Sequence, residues 1–237
     1  MFNVILPILN EQKIKAIFFV NNHYIGNNEM FYKHNLSLLV KAASNSSQEK
    51  KENICKLLKC ENNLVQINNR ILKLNFKEEK LITELNFILE VNPKNYLSKQ
   101  KPYLDEIQLK KIIEQGHYLG GHTVRHFPLE LLDFDQQISE IVDSIAWLKK
   151  QFGLKYELFA FPFSDASAKI KLFEKLFEQF PNLICMGNAG MRKDFSSRVV
   201  QRFSLENPKK PGDLLVRTNI LYKYFNIISG KGKVKRN

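Results

Sequence analysis

The sequence has only three cysteines, at positions 55, 60 and 185. An odd number excludes a fully paired disulfide framework, and four residues between Cys55 and Cys60 is not a zinc-knuckle spacing. Reduced, mostly buried thiols are expected, which suits a reducing (cytoplasmic) compartment. No run approaches the roughly 18 apolar residues of a membrane span. The apolar start from Met1 to Leu9 is too short for a signal peptide and has no basic leader. No transmembrane segment is therefore expected in this chain, and an upstream signal or anchor stays open. Internal repeats and nucleic-acid motifs are missing too. Histidine is scarce: there are five, and none follows His126.

What is present describes one globular body. A chain of 237 residues can bury a sizeable core, and 44% hydrophobic with 11% aromatic residues argues against disorder. The net charge of +12 favours acidic partners such as an anionic polysaccharide, a membrane surface or nucleic acid. Much of the excess is scattered over Lys-rich helices and the stretch Lys231-Gly232-Lys233-Val234-Lys235-Arg236. A solvated surface is the favoured reading of it, and no nucleic-acid partner is expected.

Periodicity alternates between strand and helix. Pro7–Leu9 opens an amphipathic helix ending near Lys15, and Ala16–Val20 is a continuous apolar run, as in a strand buried on both faces. Residues 31–100 read as charged helices with interspersed Leu and Ile, too long for a structureless loop. From Pro102 a helix at 106–115 ends at Gly116, followed by a strand at His117–Leu119 and a helix at 135–152 closed by Gly153. Then come a strand at 157–161, a helix at 170–179, strands at 183–186 and 199–205, and a helix at 213–225. Such alternation predicts an α/β fold with a parallel sheet.

The stretch Gly116–Pro128 concentrates the chemistry. It holds three of the five histidines, and His122 and His126 lie four residues apart after the pair Gly120-Gly121. Neutral imidazole is the commonest metal ligand, and this spacing suits two nitrogens meeting one ion. The glycines permit close backbone approach, and Pro128 ends the turn. A strand exit is an active-site position in barrel and open α/β folds. Solvated or hydrogen-bonded histidines are the blander alternative.

The surrounding residues resemble the polysaccharide deacetylase family, the NodB homology domain. His122-Thr123-Val124-Arg125-His126 is similar to its H-[ST]-x-x-H motif. Leu6-Pro7-Ile8-Leu9 with Lys15-Ala16-Ile17-Phe18-Phe19-Val20 resembles its L-P-I-L … A-T-F-F-V stretch, and Phe159-Ala160-Phe161-Pro162-Phe163 its F-A-Y-P-Y motif. The resemblance implies an incomplete (β/α) barrel, as one domain over residues 1–230 with a helical insertion at about 31–100 and a basic tail at 231–237. It implies metal-dependent removal of acetyl groups from N-acetylated sugars of a polysaccharide or glycan. His122 and His126 would be ligands to a divalent metal, zinc by default. The backbone N–H of Phe163 would be an oxyanion donor, Phe161 and Arg192 would touch substrate, and Thr123 would shape the loop. Phe161 reads equally well as a core aromatic, and His117 as a structural histidine.

Two family features have no counterpart here. The T-F-D-D-G motif, which supplies the general base and a third metal ligand, normally precedes the L-P-I-L helix by about eight residues; an L-x-H motif normally follows. One expectation is a chain whose first strand and both aspartates are missing from an otherwise active enzyme. The other is a member that binds carbohydrate without hydrolysing it. The first is favoured, because an unpaired sheet edge is costly.

Overall fold

The computed structural model describes residues 2–207 and 209–236. In chain order the elements are α1 (Ile5–Glu11), β1 (Ile17–Val20), α2 (Tyr32–Ser44), α3 (Gln48–Leu58), α4 (Leu64–Lys73), α5 (Glu79–Ile88) and α6 (Pro93–Gln100). They continue with α7 (Glu106–Glu114), β2 (Tyr118–Gly121), α8 (Phe134–Phe152), β3 (Leu158–Ala160), α9 (Ile170–Gln179), β4 (Ile184–Gly187), β5 (Val199–Gln201) and α10 (Gly212–Ile228). They divide into two compact units, residues 1–23 with 107–237, and residues 24–106.

The first unit is α/β. Its five strands form one parallel sheet in the order β1-β2-β3-β4-β5. Among the described residues β1 and β5 each have one neighbour, so the sheet is not closed into a barrel. Register is continuous between β1 and β2, from Ile17 opposite Tyr118 to Val20 opposite Gly121. Parallel neighbours need helical crossovers, and α8 is the best built of them. Asp133 and Gln136 form a reciprocal capping box at its start, and Gly153 ends it at φ 65°. Ile141 and Ile145 of α8 meet Phe159, Phe161, Leu172, Phe173 and Leu183 in one core cluster.

The second unit, residues 24–106, is helical. Leu36, Leu39, Ile54, Ile67, Ile71 and Leu85 are buried in its core. Three of its helices, α3, α4 and α6, are capped by short polar side chains: Ser47 accepts from Lys50 N, Asn63 from Val65 N and Asn92 from Asn95 N, with Pro93 in the first turn of α6.

The Gly120-Gly121 pair lets α8 and the neighbouring strands close on β2. A Cβ on Gly121 would lie 2.6 Å from Ser144 Oγ and 3.3 Å from Ile145 Cγ1. We predict that Gly121→Ala destabilises the protein by about 1–3 kcal/mol, as overpacking does. A urea-unfolding midpoint unchanged from wild type would contradict that packing.

Candidate functional site

His122 follows the last residue of β2 and is tied to both neighbouring strands. Its backbone N–H donates to Val20 O at 3.1 Å, and its ring Nδ1 lies 2.6 Å from Ala160 O at the end of β3. A carbonyl can only accept, so Nδ1 carries the proton and Nε2 keeps its lone pair. Burial pushes the His122 pKa down; the carbonyl partly opposes this, and the Arg202 charge adds to it, leaving about 4. The ring is therefore neutral at pH 7, with the tautomer set by a carbonyl, as metal-ligating imidazoles are commonly oriented.

The loop to His126 is pinned from two sides. Asn21 Nδ2 donates to His122 O at 2.5 Å and to Thr123 O at 3.2 Å. Glu140 of α8 accepts from Arg125 N through its carboxylate at 2.8 Å and from Val124 N through its carbonyl at 3.0 Å. Buried Thr123 shapes the loop as expected, its Oγ1 accepting from His126 N at 2.9 Å. His122 and His126 meet edge to face, ring centroids 4.8 Å apart, and Phe163 stands 4.6 Å from His126. Thr123, His126 and Phe163 all sit at positive φ, 65°, 57° and 52°. Left-handed backbone is uncommon outside glycine and costs about 1–3 kcal/mol per residue. Three such residues at one spot mark a site whose geometry is imposed by its surroundings.

The other expected residues separate. Phe161 is 1% exposed, packed 5.0 Å from Phe159 and 5.4 Å from Phe173. It belongs to the core and lines no groove, because just past the end of β3 its ring is enclosed in the cluster between α8 and α9. Phe163 is 39% exposed, and its carbonyl accepts from Asn188 Nδ2. Arg192 is exposed and lines a cavity of about 660 Å³ that includes neither histidine. His117 is structural: it is buried, accepts from Ala16 N and donates through Nε2 to Asn10 Oδ1 at 2.9 Å.

Sequence reading missed a buried charge network. Arg236, in the stretch read as a basic tail, has a side chain only 1% exposed. Its Nη2 reaches Asp165 Oδ2 at 2.5 Å and Asp194 Oδ2 at 2.7 Å, its Nε donates to Asp194 Oδ1, and its Nη1 to the carbonyls of Asp165 and Ala168. Gln201 Nε2 donates to both carboxylates at 2.8 Å. Burial alone would raise both acids. For Asp165 the Asn188 N–H, Gln201 and Arg236 outweigh it, and for Asp194 Arg236, the Phe195 N–H and Gln201 do, so both lie below the usual carboxylate range. The one available signal was an Asp two residues after the F-A-F-P-F motif; nothing in a lysine-rich tail distinguishes the arginine that will be buried.

The histidine pair fits a divalent metal as two of its ligands: the rings are adjacent, and His122 is neutral with its tautomer fixed by Ala160 O. Catalytic zinc takes three protein ligands, and among the described residues no group of three His, Cys, Asp or Glu side chains forms a metal cluster. Residues 65–180 match the family model described as polysaccharide deacetylase, just under half of the chain. The resemblance read from the motifs holds. That polysaccharide deacetylase match contains His122, His126, Phe161 and Phe163 and leaves out Arg192. No curated protein matches the chain. Two solved structures are similar to it: the Streptococcus pyogenes deacetylase PplD in complex with acetate, 15% identical with a TM-score of 0.49, and IcaB from Ammonifex degensii, 14% identical with a TM-score of 0.49. Each alignment covers 92% of this chain, but only 64% and 66% of the respective relative.

The low His122 pKa makes a signed prediction. An unfolded histidine binds a proton near pH 6.5 and the folded His122 only near pH 4, so its stabilising share is full above 6.5 and is lost as pH falls to about 4. That share is on the order of 3 kcal/mol. His122→Gln should flatten the stability-versus-pH slope between those values, measured by urea unfolding. An unchanged slope would show that His122 is not buried in the neutral form.

Proposed function

We propose that this chain forms part of a metal-dependent hydrolase that removes acetyl groups from N-acetylated sugars of a polysaccharide or glycan. The observation that carries the reading is the His122 ring, held by Ala160 O with its Nε2 lone pair available and His126 beside it. His122 and His126 would hold the ion, which when bound polarises the acetyl carbonyl and acidifies a water. The imposed backbone at Phe163 would present its N–H to the oxyanion. Its half-exposed ring would offer an apolar face to a pyranose. The consecutive parallel strands read as an arc of a (β/α) barrel, with the site at the C-terminal strand ends, where such folds carry chemistry. The family's T-F-D-D-G carboxylates, which have no counterpart in this sequence, would complete the ligand set and supply the base.

One observation favours a second reading, a carbohydrate-binding protein without catalysis. Asp165 and Asp194 are held in ion pairs with Arg236 and have lowered pKa values, so neither is poised near neutrality to take a proton.

Zinc titration calorimetry, followed by an acetate-release assay on chitohexaose, separates the readings. The hydrolase reading expects about one zinc per chain, lost by at least tenfold in affinity in His122→Ala and His126→Ala, as removing a metal ligand or its orienting partner does. Chitohexaose binding that ignores both zinc and a chelator would leave the non-catalytic reading.

A further inference from the structure

We propose that the cavity beside Phe163 binds an anionic group of the glycan, a carboxylate or a phosphodiester, making the substrate an acidic N-acetylated glycan. The proposal builds on the deacetylase reading. The cavity, about 660 Å³, is in the range of small-ligand sites. Ser164 and Asp165 in its wall directly follow Phe163, whose ring stands 4.6 Å from His126. The cavity wall thus begins at the residue after the ring that meets His126.

The lining is cationic by construction. Arg192, Lys231, Lys233 and Lys235 all contribute to it. The three lysines alternate along an extended segment docked on Lys193, where Lys193 N donates to Gly232 O at 2.9 Å and Val234 N to Lys193 O at 2.8 Å. Because extended backbone sends successive side chains to opposite faces, Lys231, Lys233 and Lys235 share the exposed face, while Gly232, Val234 and Arg236 turn inward. Burial of Arg236 between Asp165 and Asp194 fixes that register, and a slip of one residue would bury a lysine instead.

Among the described residues none of the four cations is in an ion pair. Asp165, the acid in the wall, shares Arg236 with Asp194, so that cluster keeps one negative charge against the four cations. The negative end of α10 is quenched: the carbonyls of Phe225, Asn226 and Ile227 accept from Ser229, Lys231 and Gly230. Four like charges around one concavity attract an anion and focus its field. A bounded cavity suits a charged sugar better than a nucleic-acid backbone, which needs an extended basic groove with stacking aromatics.

The test is fluorescence anisotropy at low salt with two labelled N-acetylated hexasaccharides, hyaluronan carrying carboxylates and neutral chitohexaose. A single-stranded DNA of matched charge is run alongside. Hyaluronan should bind at least about tenfold tighter than chitohexaose and lose about tenfold in K231E/K233E/K235E. The single exposed-site variant R192E should lose affinity in the same direction. A control reversal on the helical unit, K56E/K73E/K94E, should lose less than about twofold, a difference worth under 1 kcal/mol. Zinc binding should be untouched by the cavity variants, and chitohexaose binding untouched by K231E/K233E/K235E. Equal affinity for the two sugars, an equal loss in the control, or DNA binding tighter than hyaluronan with the same dependence on the cavity lysines would each overturn the proposal. If wild type binds hyaluronan but neither zinc nor chitohexaose, the deacetylase reading fails while the anion site stands.

Discussion

The 2.6 Å contact between His122 Nδ1 and Ala160 O joins the end of one strand to the end of the next, and the candidate site hangs from it. It consumes the only ring proton of a neutral imidazole, so the chemistry at Nε2 is decided by a carbonyl nearly forty residues away in sequence. The bond needs β2 and β3 at parallel-sheet separation, which in turn needs Gly120 and Gly121 to let Phe19, Phe159 and α8 approach. The metal-ligand geometry is therefore a property of the core, reached through two glycines and one carbonyl.

A second layer of constraint fixes what faces the ring. Thr123, His126 and Phe163 are all left-handed, and each would relax if its surroundings allowed. The loop carrying the histidines is clamped by Asn21 and by Glu140 of α8. Phe163 is reached from Asn188, whose N–H is bound by Asp165, which Arg236 engages. Removing one partner of a buried charged pair costs about 3–5 kcal/mol, so such a network holds geometry more surely than surface ion pairs do. The penultimate residue of the chain thereby supports the loop opposite the histidine pair.

Regular elements were largely legible. The helix at 170–179 lies where its apolar period places it, and β1, α7, α8 and β4 fall within a residue or two of the pattern, because each has one dominant face. The histidine pair and the Thr123 hydroxyl bond were legible from motif chemistry. Phe161 was ambiguous because an aromatic in a short apolar strand looks the same whether it faces a groove or a core; neighbours decide, and here they are Phe159 and Phe173. The Arg236 network was invisible because its members lie at 165, 194, 201 and 236, joined only by tertiary folding. Left-handed Thr123 and Phe163 were invisible as well, since local propensity argues against them and only the surrounding packing enforces them.

The central claim is that His122 is held as the neutral Nδ1–H tautomer by the Ala160 carbonyl. Ring-nitrogen NMR of the metal-free protein measures this directly, through long-range ¹H–¹⁵N correlations recorded as pH is lowered. The account predicts a protonated Nδ1 and an unprotonated Nε2 that persist until the pH approaches about 4. An Nε2–H tautomer, or a titration near the ordinary histidine value of about 6.5, would contradict it.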